Sequence, residues 1–252
     1  MTDGPRVKTT QTSFRIIEAV RDNRGAGVSE LARKVGLSKS AVHKHVQTLI
    51  DIGYLVREDD AYYLSNRFLS LGNRARERLP LEPATNVVND LAETTGHVTN
   101  LMAYENGHAV YSLRVEPEGA DLGEPVTEGE VAPLHATAGG KAILAFFPKE
   151  KRTDILDSVG LPAHTKKTIT DAQELERNLR SIRDQHIAFD REEFITGHQC
   201  VASPVIDQDG TPIAAVSVTG NIQQMSGKRL EEDVTGLVTS AAKSIETELL
   251  SQ

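Results

Sequence analysis

Between Thr12 and Leu64 the chain fits three short helical patterns and a pair of strands, each closed by a glycine or a polar turn. The first helix is expected over 12–21, with Phe14, Ile16, Ile17, Ala19 and Val20 forming a broad apolar face and Thr12 or Ser13 as its cap. A second follows Ser29 over 30–35, with Leu31, Ala32 and Val35 inward. Gly36 then stands where a left-handed residue commonly ends a helix. Ser38 opens a third over 39–52, closed by Gly53. Its Val42, Val46, Leu49 and Ile50 recur at i, i+4, i+7 and i+8, one helical stripe. Strands are expected over 54–57 and 61–64, around the polar turn at 58–60.

Three helices followed by a hairpin is the order of a winged helix-turn-helix, expected here over residues 1–65. In that unit the second helix of the helix-turn-helix pair lies in the major groove of DNA, its first half against base edges. With 42, 46 and 49 inward, the expected reading face holds Ser38, Lys39, Ser40, His43, Lys44 and Gln47. Each can donate to a phosphate or a base edge, and none is acidic. An ordinary solvated helix face mixes both signs. Arg57 on the hairpin, and Arg6 and Lys8 in a disordered-looking N-terminal arm, would add phosphate contacts.

Charge follows the same division. Residues 1–78 carry 14 Lys and Arg against 9 Asp and Glu, while the rest of the chain carries 14 against 27. A basic small end on an acidic large end suits a phosphate-binding module joined to something else. A connector helix is expected over 66–78, within a linker at 66–79. Its Phe68, Leu69, Leu71 and Leu79 suggest packing against a neighbour, and Pro80 and Pro83 mark a boundary.

Residues 80–252 alternate between helical and strand patterns. Helices are expected over 84–94, from Thr137 or Ala138 to 147, over 153–159, from the cap Asp171 to 185, and over 227–250. Strands are expected over 98–104 and 109–115 around Glu105-Asn106-Gly107, and over 200–206 and 212–219 around 207–210, with a loop at 116–130. The whole reads as an α+β chain, its second part a helix-flanked antiparallel sheet.

Several function classes lack an anchor. No apolar run is long enough to span a membrane, and residues 1–11 hold no signal-peptide core. The single cysteine, Cys200, precludes an internal disulfide and fits a reducing cytoplasm. Gly140-Lys141 is no phosphate loop, because His135 replaces its first glycine and Ala142 its hydroxyl residue; a G-x-S-x-G elbow is also absent. No enzymatic activity, cofactor or resident metal is expected. The rival reading is a metal-responsive regulator using His198 and Cys200, whose donor types suit zinc or copper.

The chain resembles the isocitrate lyase regulator (IclR) family of prokaryotic transcription factors along nearly its full length. The segments Ser29–Ala32, Val35–Val42 and Leu49–Leu55 look like that family's DNA-binding module. More specific are Leu134-His135-Ala136-Thr137-Ala138-Gly139-Gly140-Lys141-Ala142-Ile143-Leu144-Ala145, then Cys200–Val205 and Ala214–Gly220. The resemblance implies a GAF-like mixed α/β effector-binding domain over 80–252, a homodimer or tetramer, and a palindromic double-stranded DNA operator. It also implies a small organic acid, held by the Ala138 and Gly139 amides with Asp190 and Cys200 opposite. A helix start favours a carboxylate there, and Ser203 and Ser217 are candidate further donors. An alternative for the Gly-Gly pair is close packing, and for Cys200 a small buried hydrophobe. Two positions depart from the family pattern: His45, where relatives usually place leucine, and His186, where they commonly place glycine.

Overall fold

A computed structural model describes residues 7–23, 25–78, 81–120, 122, 123, 126–225, 227 and 233–250, the side chains of 81–83 and 250 excepted. The chain divides into two compact units, Met1–Leu79 and Pro80–Gln252. Among the described residues no helix is long and apolar enough to cross a membrane.

In the first unit α1 (Lys8–Asp22), α2 (Val28–Val35) and α3 (Lys39–Asp51) precede the antiparallel hairpin β1 (Leu55–Glu58) and β2 (Ala61–Leu64). Helix α1 begins earlier than the apolar pattern suggests, so Lys8 belongs to its first turn rather than to an arm; Arg6 lies outside the described residues. Ile16, Val20, Leu31, Val35, Val42, Val46, Leu49 and Leu55 form one core. Burying a side chain of this size contributes about 1.5–3 kcal/mol. Phe14 does not join it and stands 57% exposed. Gly36 ends α2 at φ 69, and the Ser38 hydroxyl caps α3 by accepting from the Ala41 amide. Together they make the tight turn between α2 and α3. Helix α4 (Arg67–Arg76) follows, with Arg67 donating to the Ile52 carbonyl and lying over the Tyr54 ring. Phe68 meets Tyr54 edge-on, but Leu69 and Leu71 are exposed, and Leu79 and Pro80 lie outside the described residues.

The second unit contains α5 (Leu81–Thr95), β3 (Val98–Glu105), β4 (His108–Val115), β5 (Val131–Ala132), α6 (Ala138–Phe146), α7 (Lys149–Val159) and α8 (Ala172–Gln185). After these come β6 (Ala188–Arg191), β7 (His198–Ile206), β8 (Pro212–Asn221) and α9 (Thr235–Leu250). The strands form one antiparallel sheet in the order β5-β4-β3-β8-β7-β6. Helix α6, backed by α8, covers one face over Met102, Tyr111, Cys200, Ala202 and Ala215. The other face packs Leu101, Val201, Val216 and Val218 against α5 and α9.

Several expectations are corrected. Pro83 does not keep its segment out of a helix: it sits in the first turn of α5, where a missing N–H costs nothing. The short strands β5 and β6 escape a periodicity search. Helix α7 starts at Lys149, whereas 228–232, expected in the last helix, lie outside the described residues. His186 does end α8 in a left-handed conformation, at φ 56. Asn106 and Gly107, both at positive φ, make the β3–β4 turn.

Candidate functional site

On α3, Ser38, Lys39, Ser40, His43, Lys44 and Gln47 are all exposed, opposite the buried Val42, Val46 and Leu49. Three of them have partners already. The Ser38 hydroxyl accepts from the Ala41 amide as the helix cap and lies 3.1 Å from the Ser40 hydroxyl, and the Gln47 amide donates to Asp51 at 2.9 Å. His45 is not on this face: it is half-buried, its Nδ1 2.9 Å from the Ser13 hydroxyl of α1. A polar contact there replaces an apolar one. Arg57 is exposed on the hairpin, but its guanidinium donates to the Asp59 carbonyl and reaches Asp60 at 3.4 Å.

A second site lies in the other unit, between the sheet and the start of α6. This partly open cavity has a volume of about 40 Å3. Gly139, Asp190, Cys200 and Ser217, drawn from four separate elements, all line it. Ala138 and Ser203 do not. The Ala138 side chain packs in the core, leaving only its amide for a ligand. Ser203 alternates to the opposite sheet face and donates to the His186 carbonyl at 2.9 Å. Along β7, residues 200 and 202 face α6 and residue 203 cannot.

The start of α6 is built for an acceptor. The Thr137 hydroxyl accepts from the Gly140 amide and donates to the Pro133 carbonyl. The amides of Ala138 and Gly139, the first of the helix, have no acceptor within it. The two glycines serve different ends. A Cβ on Gly140 would stand 2.6 Å from the Leu134 main chain, so this glycine allows close packing. A Cβ on Gly139 would meet Met102 Sδ, a flexible neighbour that also lines the cavity.

Burial sets the chemistry of the wall. Asp190 accepts from the Glu193 and Phe194 amides, yet desolvation outweighs both and pushes its carboxyl up to about 7. Burial pushes the Cys200 thiol up to about 12, so it is neutral and can donate. Ser217 lies close enough to the sulfur to ease that shift slightly, but its hydroxyl makes no hydrogen bond of ordinary geometry. Behind the wall the fully buried Lys141 pairs with Glu193, whose carboxyl burial raises while Lys141 pulls it back down. His198 lines the cavity beside Cys200. Among the described residues, however, no three His, Cys, Asp or Glu side chains gather to hold a metal ion.

The cavity also has residues that the sequence did not single out: Asn100, Tyr111, Arg114, Thr137 and Thr219, with Met102, Leu122, Val126, Phe194 and Ile195 as its apolar walls. Thr137 was visible only as one of two candidate starts of a helix. A charged residue inside the apolar strand 109–115 was the one available signal for Arg114.

The family model described as the bacterial transcriptional regulator IclR C-terminal matches residues 80–247, and that of the IclR helix-turn-helix domain matches residues 11–59. The HTH-type transcriptional regulator KdgR of Escherichia coli is 31% identical over 233 residues, covering 91% of this chain and 88% of the relative. The crystal structure of Thermotoga maritima IclR matches with a TM-score of 0.79 at 29% identity, over 97% of this chain and 99% of that one. An IclR homologue from Microbacterium hydrocarbonoxydans, complexed with 4-hydroxybenzoate, has the same fold: TM-score 0.80, 23% identity, 97% and 100% coverage. With both units matched, the chain belongs to the IclR family of helix-turn-helix transcriptional regulators.

Proposed function

We propose that this regulator is a non-enzymatic, sequence-specific DNA-binding protein whose affinity for a palindromic operator is set by a small carboxylate held in the α6 cavity. The observation that carries this reading is the cavity itself. Unpaired helix-start amides, a neutral thiol and a carboxyl that is readily protonated all stand at one cavity. Each of these groups can donate to an anion, and the helix start adds a favourable dipole. The 4-hydroxybenzoate bound by the Microbacterium homologue is a small carboxylate too. Lys39, Ser40, His43 and Lys44 supply the reading face of α3, with Gln47 and Arg57 at its margin once their present partners release them. Pairing of two copies through the first unit would suit a palindrome. The exposed Phe14, Leu69 and Leu71 offer apolar surface for that.

The test begins with selection of genomic duplexes on the full-length protein. Binding to the best duplex is then measured by fluorescence anisotropy with and without a panel of small carboxylates. We expect one duplex to bind at least about a thousandfold tighter than random competitor, and one carboxylate to change that affinity. A protein that prefers no duplex, at any ionic strength and with any panel member, overturns the proposal.

A further inference from the structure

The wall of the cavity also holds a charge that the carboxylate reading does not use. The Arg114 side chain is only 7% exposed and lines the cavity. It starts a hydrogen-bonded row across four neighbouring strands. Arg114 Nη1 donates to Asn100 Oδ1 at 3.0 Å, Asn100 Nδ2 to Thr219 Oγ1 at 3.5 Å, and Thr219 Oγ1 to Cys200 Sγ at 3.2 Å. The row therefore joins β4, β3, β8 and β7 on the face that α6 covers.

A β-bulge puts Arg114 there. Leu101 pairs with Leu113 and Met102 with Tyr111, so Ser112 is left over. Simple alternation from Tyr111, which faces the cavity, would bring Leu113 to the same face and turn Arg114 away. The extra residue reverses this, as bulges do when they re-aim a side chain. Leu113 joins the opposite core instead.

Arg114 keeps unused donors. Nε and Nη2 both meet Glu116 Oε1, at 2.8 and 2.6 Å, and one Nη1 hydrogen goes to Asn100. A guanidinium has five N–H groups, so one on each Nη is left. Glu116 itself is 52% exposed, and an ion pair with such a partner is weak.

We propose that Arg114, supported by Asn100, is a specificity-determining residue that reads a second oxygen-bearing group at the far end of the effector. The effector is then an acid with oxygen functions at both ends, not a short monofunctional acid. This rests on the carboxylate reading of the same cavity. Arg114 Nη1 bonds Asn100 on β3, and Cys200 lies two strands away on β7. Two strand spacings are about 10 Å, less about 3 Å for a hydrogen bond at each end. That leaves on the order of 4–6 Å between terminal oxygens, a chain of roughly four or five carbons.

Matched probes that differ only at the far end test this on the full-length protein by titration calorimetry: 4-hydroxybutyrate against butyrate, and glutarate against valerate. We expect the oxygenated member of each pair to bind at least about tenfold tighter, the scale of one hydrogen bond to a charged group. Arg114→Met should erase that preference, bringing the affinity ratio within each pair to about one. Glu116→Gln, which lies outside the cavity lining and frees the guanidinium, should widen the glutarate preference even if the first variant folds poorly. Pairs that bind alike, or a preference that survives in Arg114→Met, overturn the assignment of Arg114 alone. Absence of binding by all four probes overturns it together with the carboxylate reading.

Discussion

Burial has pushed the Asp190 carboxyl up to about 7, so its protonated and ionised forms are both within reach near neutral pH. Protonated, it can donate to an acid in the cavity; ionised, it repels one. Lys141 on α6, Glu193, Cys200 and Tyr111 face it electrostatically, and His198 stands on the same wall. We therefore expect affinity for a small carboxylate, measured by calorimetry, to fall as pH rises from about 6 to about 8. Asp190→Asn should flatten the profile; a slope that persists in the variant takes the effect away from Asp190. Stability has the same sign. The folded state keeps this proton well above the ordinary value of 3.8, so the contribution is complete at acidic pH and lost as pH climbs through about 7. Gly140 is governed by space alone. Gly140→Ala places a methyl 2.6 Å from the Leu134 main chain, and overpacking of this kind costs about 1–3 kcal/mol. A lowered thermal midpoint checks it, and an unchanged one would show that α6 can shift outward freely.

At the scale of elements, α3 separates packing from reading by its 3.6-residue period. The buried Val42, Val46 and Leu49 fix its rotation, and the exposed Lys39, His43 and Lys44 follow from that. This much was legible in the sequence, because one period decides both sides. Lys44→Ala should weaken operator binding and make the log–log salt slope shallower by about 0.9, the release of one counterion. An identical slope in the variant removes Lys44 from the phosphate contacts. Strand β4 shows where reading by period fails. Its alternation breaks at Ser112, an unremarkable residue in an apolar run, and the break alone turns Arg114 toward the cavity. Ser203 is the mirror case: a residue beside Cys200 in sequence but on the other face of β7.

For the whole molecule, the proposed function links the effector and the duplex through one free energy. Whatever factor the acid imposes on operator affinity, the operator must impose on acid affinity. Cys200→Leu would fill the cavity wall with a bulkier apolar side chain while the α3 face is untouched. We expect that variant to bind operator with unchanged affinity and to ignore the carboxylate. A response that persists would place the effector somewhere else.

By itself the sequence determined what depends on neighbours along the chain: the helix-turn-helix and its hairpin, the exposed face of α3, the start of α6 at Thr137 or Ala138 and the family motifs. It also marked Gly139, Asp190, Cys200 and Ser217 as candidates, which the fold then gathered around one cavity. Only the tertiary structure decided that Arg114, Asn100 and Thr219 complete the cavity, that Ser203 is excluded from it, and that Asp190 holds its proton near neutrality. Those outcomes depend on sheet register, a bulge and desolvation. Each is set by residues far apart in the chain, and beyond the charge of Arg114 within an apolar run a local pattern carries no trace of them.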